Sequence, residues 1–581
     1  MRQDLRVALC LAAAAILCTL APAQSAPPPD TNPPISQPDP QAPPEFPTSP
    51  APAASLPDLP PATLAAQIAT LTADPAVARD HWGIMVTSLD GSLIYALNQD
   101  QLFQPASNAK LFTTAAALAM LGPDDRFTTR VIAEGKLARG TLHGNLILRG
   151  GGDATFATGY SLPYLPPSQR PKNAPTPTPL GDIEELAAQI AAKGLRVVDG
   201  DIVGDDTLFD TPYAENWSID DMIWGYGAPV SALTIHDNQI DVTLTPSVSG
   251  HGPATTTLTP DLPYYRINAQ MPGYVWTPSI LTQDWGRDSL QTFDRAPGSL
   301  DLQISGDLKP GQPPVHDEIA IADPAQYAAM ALRAALLRHG IKVRGNVTVR
   351  HRANGNLMPF SQESHQPLAM PDEMQESIFR GGKIECMAQA INNGPRPTET
   401  LLAEHLSPPL IEDLTLTNKI SQNLHAELLL RHISEEKDCG STLGRSAQLV
   451  RAFLVHAGLD PNDFVFYDGS GLSTHDLVTP RATAKLLQFA TTQPWFADWK
   501  ASLPIGGVDG SLADRFPNPP LKGHVFAKTG TLGEARALSG YLDAASGRTV
   551  IFSILVDNHL PGTTADRDAM DKIVAAIQAA E

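Results

Sequence analysis

The spacing of apolar and polar positions changes several times along the chain, and each change predicts a different element. "VALCLAAAAILCTLA" near the start is apolar throughout, and residues 24–60 are Pro-, Ala- and Ser-rich with no apolar period. The second stretch predicts an extended, disordered tether with nothing to bury. A folded pattern begins near Leu64. "HWGIMVTSLDGSLIYALN" (81–98) reads as two strands that turn at Asp90-Gly91. "QPASNAKLFTTAAALAML" (104–121) has no polar face, which predicts a helix buried on every side and stopped by Gly122-Pro123. Near the other end, "HVFAKTGTL", "ARALSGYLD" and "TVIFSILVD" predict three strands, and 564–580 an acidic amphipathic helix. The two ends together predict an α/β (α+β) domain, one antiparallel sheet flanked by helices. Everything between them is then either further helices of that domain or inserted material.

The middle carries an echo. "LAAQIAAKGLRVVDGDIVG" (186–204) and "LRAALLRHGIKVRGNVTV" (332–349) share one order: helix, Gly, Leu or Ile, a basic residue, Val, then Gly and a strand. Units of this kind predict a separate α/β layer, with duplication and coincidence equally open. Residues 153–179 read as Pro- and Gly-rich loop, and 358–399 as irregular. At 581 residues the chain exceeds one core, and two to four domains are expected. The boundaries read as 61–127 plus 405–581 for the domain built from the two ends. The insertion is 128–404, with a nested subdomain around 150–240.

Composition adds compartment and partners. Arg2 and Arg6 precede the first apolar run, which ends in Ala21-Pro22-Ala23, so 1–23 reads as a secretory signal and the protein as periplasmic or extracytoplasmic. Cys10 and Cys18 fall inside it, and the bulky Leu17 disfavours lipid attachment at Cys18. The remaining Cys386 and Cys439 leave one disulfide and two free thiols both open. No later stretch is apolar and long enough to span a bilayer. The acidic C-terminal helix is unlike a basic membrane anchor, which predicts a soluble or loosely wall-associated protein. A formal charge of −21 argues against nucleic acid and anionic membranes as partners.

The buried helix raises the chemical question. Ser107 opens it and Lys110 lies three residues on, on the same side. A serine there is ordinary as a helix cap; a lysine in an apolar helix is not. Burial strips its hydration and lowers its pKa, and a neutral amine beside a hydroxyl is a general base beside a nucleophile. S-x-x-K alone is weak: Ser434 and Lys437 repeat it in a charged stretch that reads as a solvated helix end. Two further motifs follow in order. Ser421-Gln422-Asn423 precedes an amphipathic helix, and Lys528-Thr529-Gly530-Thr531 lies on a predicted strand. S-x-x-K, S-x-N and K-T-G in this order are the set of penicillin-binding proteins and serine β-lactamases. No H-E-x-x-H, Cys cluster, phosphate loop or dinucleotide fingerprint is present, so no metal or cofactor is expected. His425 and His432, at helical spacing past S-x-N, are assigned to core or surface.

With these motifs the chain resembles the penicillin-binding-protein-4 type of D-alanyl-D-alanine carboxypeptidase/endopeptidase, the peptidase S13 family. "GNLILRGGGDATF", "DGDIVGDDTLFD", "YGAPVSALTIHDN", "YDGSGLSTHDLVTP" and "LPIGGVDGSLADR" also look like family segments, in family order. The gap of 314 residues between Ser107 and Ser421 (421 minus 107) fits the extra domains that this family inserts after the first motif. The resemblance implies a serine β-lactamase/DD-peptidase (transpeptidase-like) fold with inserted smaller α/β domains. It implies muropeptides ending in D-Ala-D-Ala, or DD-cross-linked, as substrates and β-lactams as inhibitors. Ser107 would be the nucleophile and Lys110 its base. Ser421 would relay a proton to the leaving nitrogen, and Asn423 would hold a substrate amide and Lys110. Lys528 would keep Lys110 from protonating and help bind the terminal carboxylate, with Thr529 and Thr531. Gly530 would leave room for substrate along the strand edge. Asp468 and Ser470 either line the cleft or form a turn. Thr474-His475 stands where the family often has a basic residue, a departure that bears on side-chain recognition of the substrate. A β-lactamase or esterase, and a non-catalytic wall-binding protein or β-lactam sensor, are the alternatives.

Overall fold

In the computed structural model, residues 63–581 are described except 174–176, 211–212, 215, 268–279, 283–289, 354–357, 383–398 and 439–441. The signal and tether readings, and the question of Cys386 and Cys439, lie outside the described residues. Strands β1 (His81–Ser88) and β2 (Leu93–Leu97) form the expected hairpin, and β3 (Val525–Leu532), β4 (Ala535–Asp543) and β5 (Thr549–Asp557) come from the far end of the chain. They make one five-stranded sheet in the order β2-β1-β5-β4-β3, antiparallel throughout, with Trp82 opposite Val556 and Lys528 opposite Ser539.

The central strands β4 and β5 are apolar along most of both faces because each face is covered. Ala537, Tyr541, Ile551 and Leu555 pack against a helical layer. Leu538, Leu542, Phe552 and Ile554 pack on the other side, in the core under α1 (Leu64–Thr72) and the C-terminal helix Ala565–Ala580. The helical layer is centred on α2 (Ala109–Met120), with α3 (Leu410–Ile420), α4 (Asn423–Asp438) and α5 (Leu443–His456) around it. All twelve residues of α2 are buried, as its lack of a polar face predicts, and the chain leaves it through Gly122.

The inserted part has its own core. A seven-stranded sheet is built on the hairpin Thr128–Ala138 and Thr141–Arg149. The two echoing units lie side by side in it: Ile202–Asp205 runs parallel to Thr141–Arg149, and Val347–Arg350 parallel to Ile202–Asp205. Their helices, Gly181–Ala192 and Pro324–Arg338, pack on each other. Within 150–240, the strands Val197–Val198 and Ile202–Asp205 belong to the seven-stranded sheet, and 239–320 supplies two smaller sheets. The irregular stretch resolves in part into two short helices, Phe360–His365 and Asp372–Phe379. Their Phe360, Ile378 and Phe379 join the core around α2 rather than that of the insertion.

A buried histidine joins the two parts. His425 on α4 lies 2.5 Å from Asp413 on α3 and 2.8 Å from Asp237 of the insertion. Burial pushes its pKa down, but the two carboxylates outweigh this and lift it to about 10. His432 is core in a different way. It stacks on Phe127 at 3.6 Å between ring centroids and burial holds it neutral, with its pKa at about 4.

Candidate active site

Ser107 sits in a single 3-10 turn, Ala106–Asn108, that runs straight into α2. The turn is held from two sides by glycines. A Cβ on Gly471, which has φ +80°, would lie 1.8 Å from the carbonyl oxygen of Ala106. One on Gly530 would lie 2.6 Å from the carbonyl oxygen of Pro105. Gly530 was expected to leave room for a substrate; the room is taken by the turn that carries Ser107. Asn108 fastens the same turn to the sheet, donating from Nδ2 to Ser539 Oγ at 2.8 Å. Ser107 itself is partly exposed.

Lys110 is completely buried, and its Nζ has three partners: Ser107 Oγ at 2.9 Å, Asn423 Oδ1 at 2.6 Å and the Ser470 carbonyl oxygen at 2.7 Å. The amide of Asn423 is oriented by its other end, since Nδ2 donates to the Tyr226 carbonyl at 2.9 Å. Two of the three partners can therefore only accept. A neutral amine has two N–H bonds and one lone pair. The two N–H bonds go to Asn423 and Ser470, and the lone pair is left facing the one partner that can donate, the Ser107 hydroxyl. Burial drives the Lys110 pKa down to about 7, against the opposing pull of Asp468, Glu427 and Asp476.

Lys528 is buried as well, and its pKa lies well below the ordinary value, through burial first and the neighbouring Lys110 second. Its Nζ donates to Ser421 Oγ at 2.8 Å and to the Thr529 carbonyl at 3.0 Å. Ser421 ends α3 in the left-handed conformation, φ +64°, and Asn423 begins α4, so S-x-N is the corner between two helices. The hydroxyl of Ser421 thus lies on Lys528. Thr529 Oγ1 is 2.6 Å from Ser511 Oγ, and exposed Thr531 accepts from Arg536 Nη1 at 3.4 Å. β3 is the outer strand of its sheet. Residues 504–506 cover its first half, and from Lys528 onward the outer edge has no strand partner among the described residues.

Asp468 and Ser470 lie behind the site. The carboxylate of Asp468 is buried and accepts from the backbone N–H groups of Ser470, Gly471 and Ser473 and from Trp217 Nε1. Of the two roles left open, the turn is the one observed. Glu427 Oε1 accepts from the N–H groups of Gly469 and Ser470, each at 2.9 Å, and its other oxygen pairs with Arg431. The two acids aim the Ser470 carbonyl at Lys110. Burial and the nearby Asp468 raise the pKa of both Glu427 and Asp476. Sequence reading missed Glu427, whose signal was a Glu-Arg pair four apart that brackets Leu428, Leu429 and Leu430. It also missed Ser511, which had no signal beyond lying in a family-like segment.

The second S-x-x-K is not solvated. Ser434 is fully buried, hydrogen-bonded to Ser446 Oγ at 2.7 Å and to the Arg431 carbonyl, and buried Lys437 reaches the Gly382 carbonyl at 3.2 Å. The charged stretch around it hid the packing of α4 against α5. Among the described residues no cluster of three or more His, Cys, Asp or Glu is arranged to hold a metal, and no helix is long and apolar enough to cross a membrane.

Comparison with known proteins follows the same lines. The sequence matches the model of the D-Ala-D-Ala carboxypeptidase 3 (S13) family over residues 64–370 and 373–580. A D-alanyl-D-alanine carboxypeptidase from an Actinomadura species is 30% identical over 511 residues, 86% of this chain and 81% of the relative. D-alanyl-D-alanine carboxypeptidase DacB of Haemophilus influenzae is 24% identical over 507 residues, 85% of this chain and 88% of the relative. The crystal structure of penicillin binding protein 4 from Haemophilus influenzae superposes with a TM-score of 0.67 at 22% identity, covering 87% of this chain and 97% of that one, which shows a shared fold.

Proposed function

Since the chain belongs to the D-Ala-D-Ala carboxypeptidase 3 (S13) family, we propose that it is a serine-type D-Ala-D-Ala carboxypeptidase or DD-endopeptidase of peptidoglycan, working outside the cytoplasm. The observation that carries the reading is the set of partners around Lys110, which leaves its lone pair for Ser107. Ser107 Oγ attacks the carbonyl carbon of the penultimate D-alanine while Lys110 takes the hydroxyl proton. The backbone N–H groups of Ser107 and Thr531 hold the oxyanion. Ser421 accepts a hydrogen bond from Lys528, so its own proton is free to pass to the leaving nitrogen as the C–N bond breaks, and the proton that Lys110 took refills Ser421 and leaves Lys110 neutral again. The substrate lies along the open edge of β3 as an added strand. Water, deprotonated by Lys110, then cleaves the ester. A β-lactam meets the same nucleophile, but its amine stays tethered and the acyl-enzyme persists.

The test is intact-protein mass spectrometry after incubation with benzylpenicillin. One stable adduct on wild type, absent from Ser107→Ala, is expected, followed by release of D-Ala or cut cross-links from muropeptide digests. Intact penicillin with no adduct would overturn the reading in favour of a binding protein, and consumed penicillin with no adduct in favour of a β-lactamase.

A further inference from the structure

On the reading just proposed, the substrate carries a carboxylate past the scissile bond, and K-T-G-T provides hydroxyls for it. The structure holds one hydroxyl more, from a segment that none of the three motifs contains. Ser511 is exposed, and its Oγ lies 2.6 Å from Thr529 Oγ1, one residue along from Lys528. We propose that Ser511 is a specificity-determining residue that binds the substrate's carboxylate jointly with Thr529.

The proton count supports this. Two hydroxyls in one hydrogen bond use one proton between them, and the other is left to donate. When a carboxylate enters, the mutual bond is exchanged for two charge-assisted ones, which are stronger than a bond between neutral groups. The Nζ of Lys528, a further N–H donor, is next to them in the chain and on the same strand.

The loop is also built for position. Gly506 N donates to the Val525 carbonyl at 2.9 Å and Ala527 N to the Pro504 carbonyl at 3.0 Å, so the segment before Ser511 lies along β3. Asp509 accepts from Ile505 N at 2.9 Å and forms a buried pair with Lys419 at 2.7 Å. Lys419 stands two residues before Ser421, and its Nζ also donates to the Leu503 carbonyl at 2.6 Å. From the insertion, the Tyr164 hydroxyl accepts from Gly510 N at 3.1 Å. Ser511 is therefore fixed relative to Ser421 and to Thr529 at once, which is what a donor aimed at one end of a substrate requires.

The experiment compares two thioesters hydrolysed by the full protein, N-benzoyl-D-alanyl-thioglycolic acid and its carboxamide. They differ only in the carboxylate. In wild type the acid is preferred. In Ser511→Ala the ratio of kcat/KM, acid over amide, falls about tenfold, the loss expected for one hydrogen bond to a charged group. Ser511→Thr restores the ratio to within about twofold. Because a ratio does not depend on the folded fraction, partial misfolding does not mimic the effect. Ser511→Cys, a weak donor of similar size, is the second variant should Ser511→Ala prove inactive, and it lowers the ratio likewise. An unchanged ratio in Ser511→Ala and Ser511→Cys, or a wild type that does not prefer the acid, would overturn the proposal. Hydrolysis of neither thioester, with no penicillin adduct, is a failure of the parent reading instead.

Discussion

Ser107-x-x-Lys110 and Ser434-x-x-Lys437 are the same motif, both on helices, with lysines that are 0% and 2% exposed. Burial of the lysine therefore does not separate them. Two other features do. Ser107 stands at the open start of α2, whereas Ser434 lies within α4 at 0% exposure with its hydroxyl already bonded to Ser446. Lys110 meets two groups that can only accept, which leaves its lone pair facing a hydroxyl. The two pairs thus differ in what surrounds them and in what can reach them.

The largest expected effect breaks this comparison if it fails. Ser107→Ala should lower the rate of acylation by a fluorescent penicillin by at least ~10³-fold, while Ser434→Ala stays within about twofold; equal losses from two folded variants would mean that access to the serine is not what matters. Lys110→Met should cost about 10²- to 10⁴-fold in the same assay, the range for loss of a general base, and Lys437→Met far less. The pH dependence sharpens the point. With the Lys110 pKa at about 7, acylation should rise as pH increases toward 7 and level off above it. Asp468 pulls that pKa upward, so Asp468→Asn should shift the midpoint to lower pH.

Stability follows with a definite sign. The folded pKa of Lys110 is depressed, so between about pH 7 and its ordinary value the unfolded chain binds more protons. The destabilisation from burying this lysine is complete below about 7 and is relieved as pH rises above it. Urea midpoints of wild type should therefore gain on those of Lys110→Met between pH 7 and 9. Next in size is Gly471→Ala, which forces a Cβ onto the Ala106 carbonyl at a left-handed position; a loss of about 2–4 kcal/mol and a displaced Ser107 are expected, read by thermal melting and acylation rate. The smallest is the loss of the Ser434–Ser446 hydrogen bond in Ser434→Ala, about 1 kcal/mol in urea unfolding with acylation intact.

What the sequence made legible was local or periodic. The β1–β2 hairpin, α2 and its stop at Gly122, and all three C-terminal strands were found within a few residues, because alternation and turn residues are written side by side. The three motifs converge as their order implied: Lys110 touches Asn423, and Lys528 touches Ser421. What could not be read depends on segments far apart in the chain. The burial of Lys437 is set by packing against distant residues. The purpose of Gly530 depends on Pro105, and the acids Glu427 and Asp468 matter because both clamp one turn. The insertion's echoing units are the exception, since they do form the α/β layer their pattern predicts, with Val347–Arg350 pairing with Ile202–Asp205 across the residues between them.

The sheet has one further consequence, for timing. β5 lies between β1 and β4, with Val556 paired to Trp82 on one side and to Arg536 on the other. Ser107 leaves the ribosome long before β5, and the sheet that seats it cannot close until that strand has followed. A chain interrupted before this strand has Ser107, Lys110 and even Lys528, yet nothing to hold them in register. The site is thus assembled only once β5 has joined the sheet.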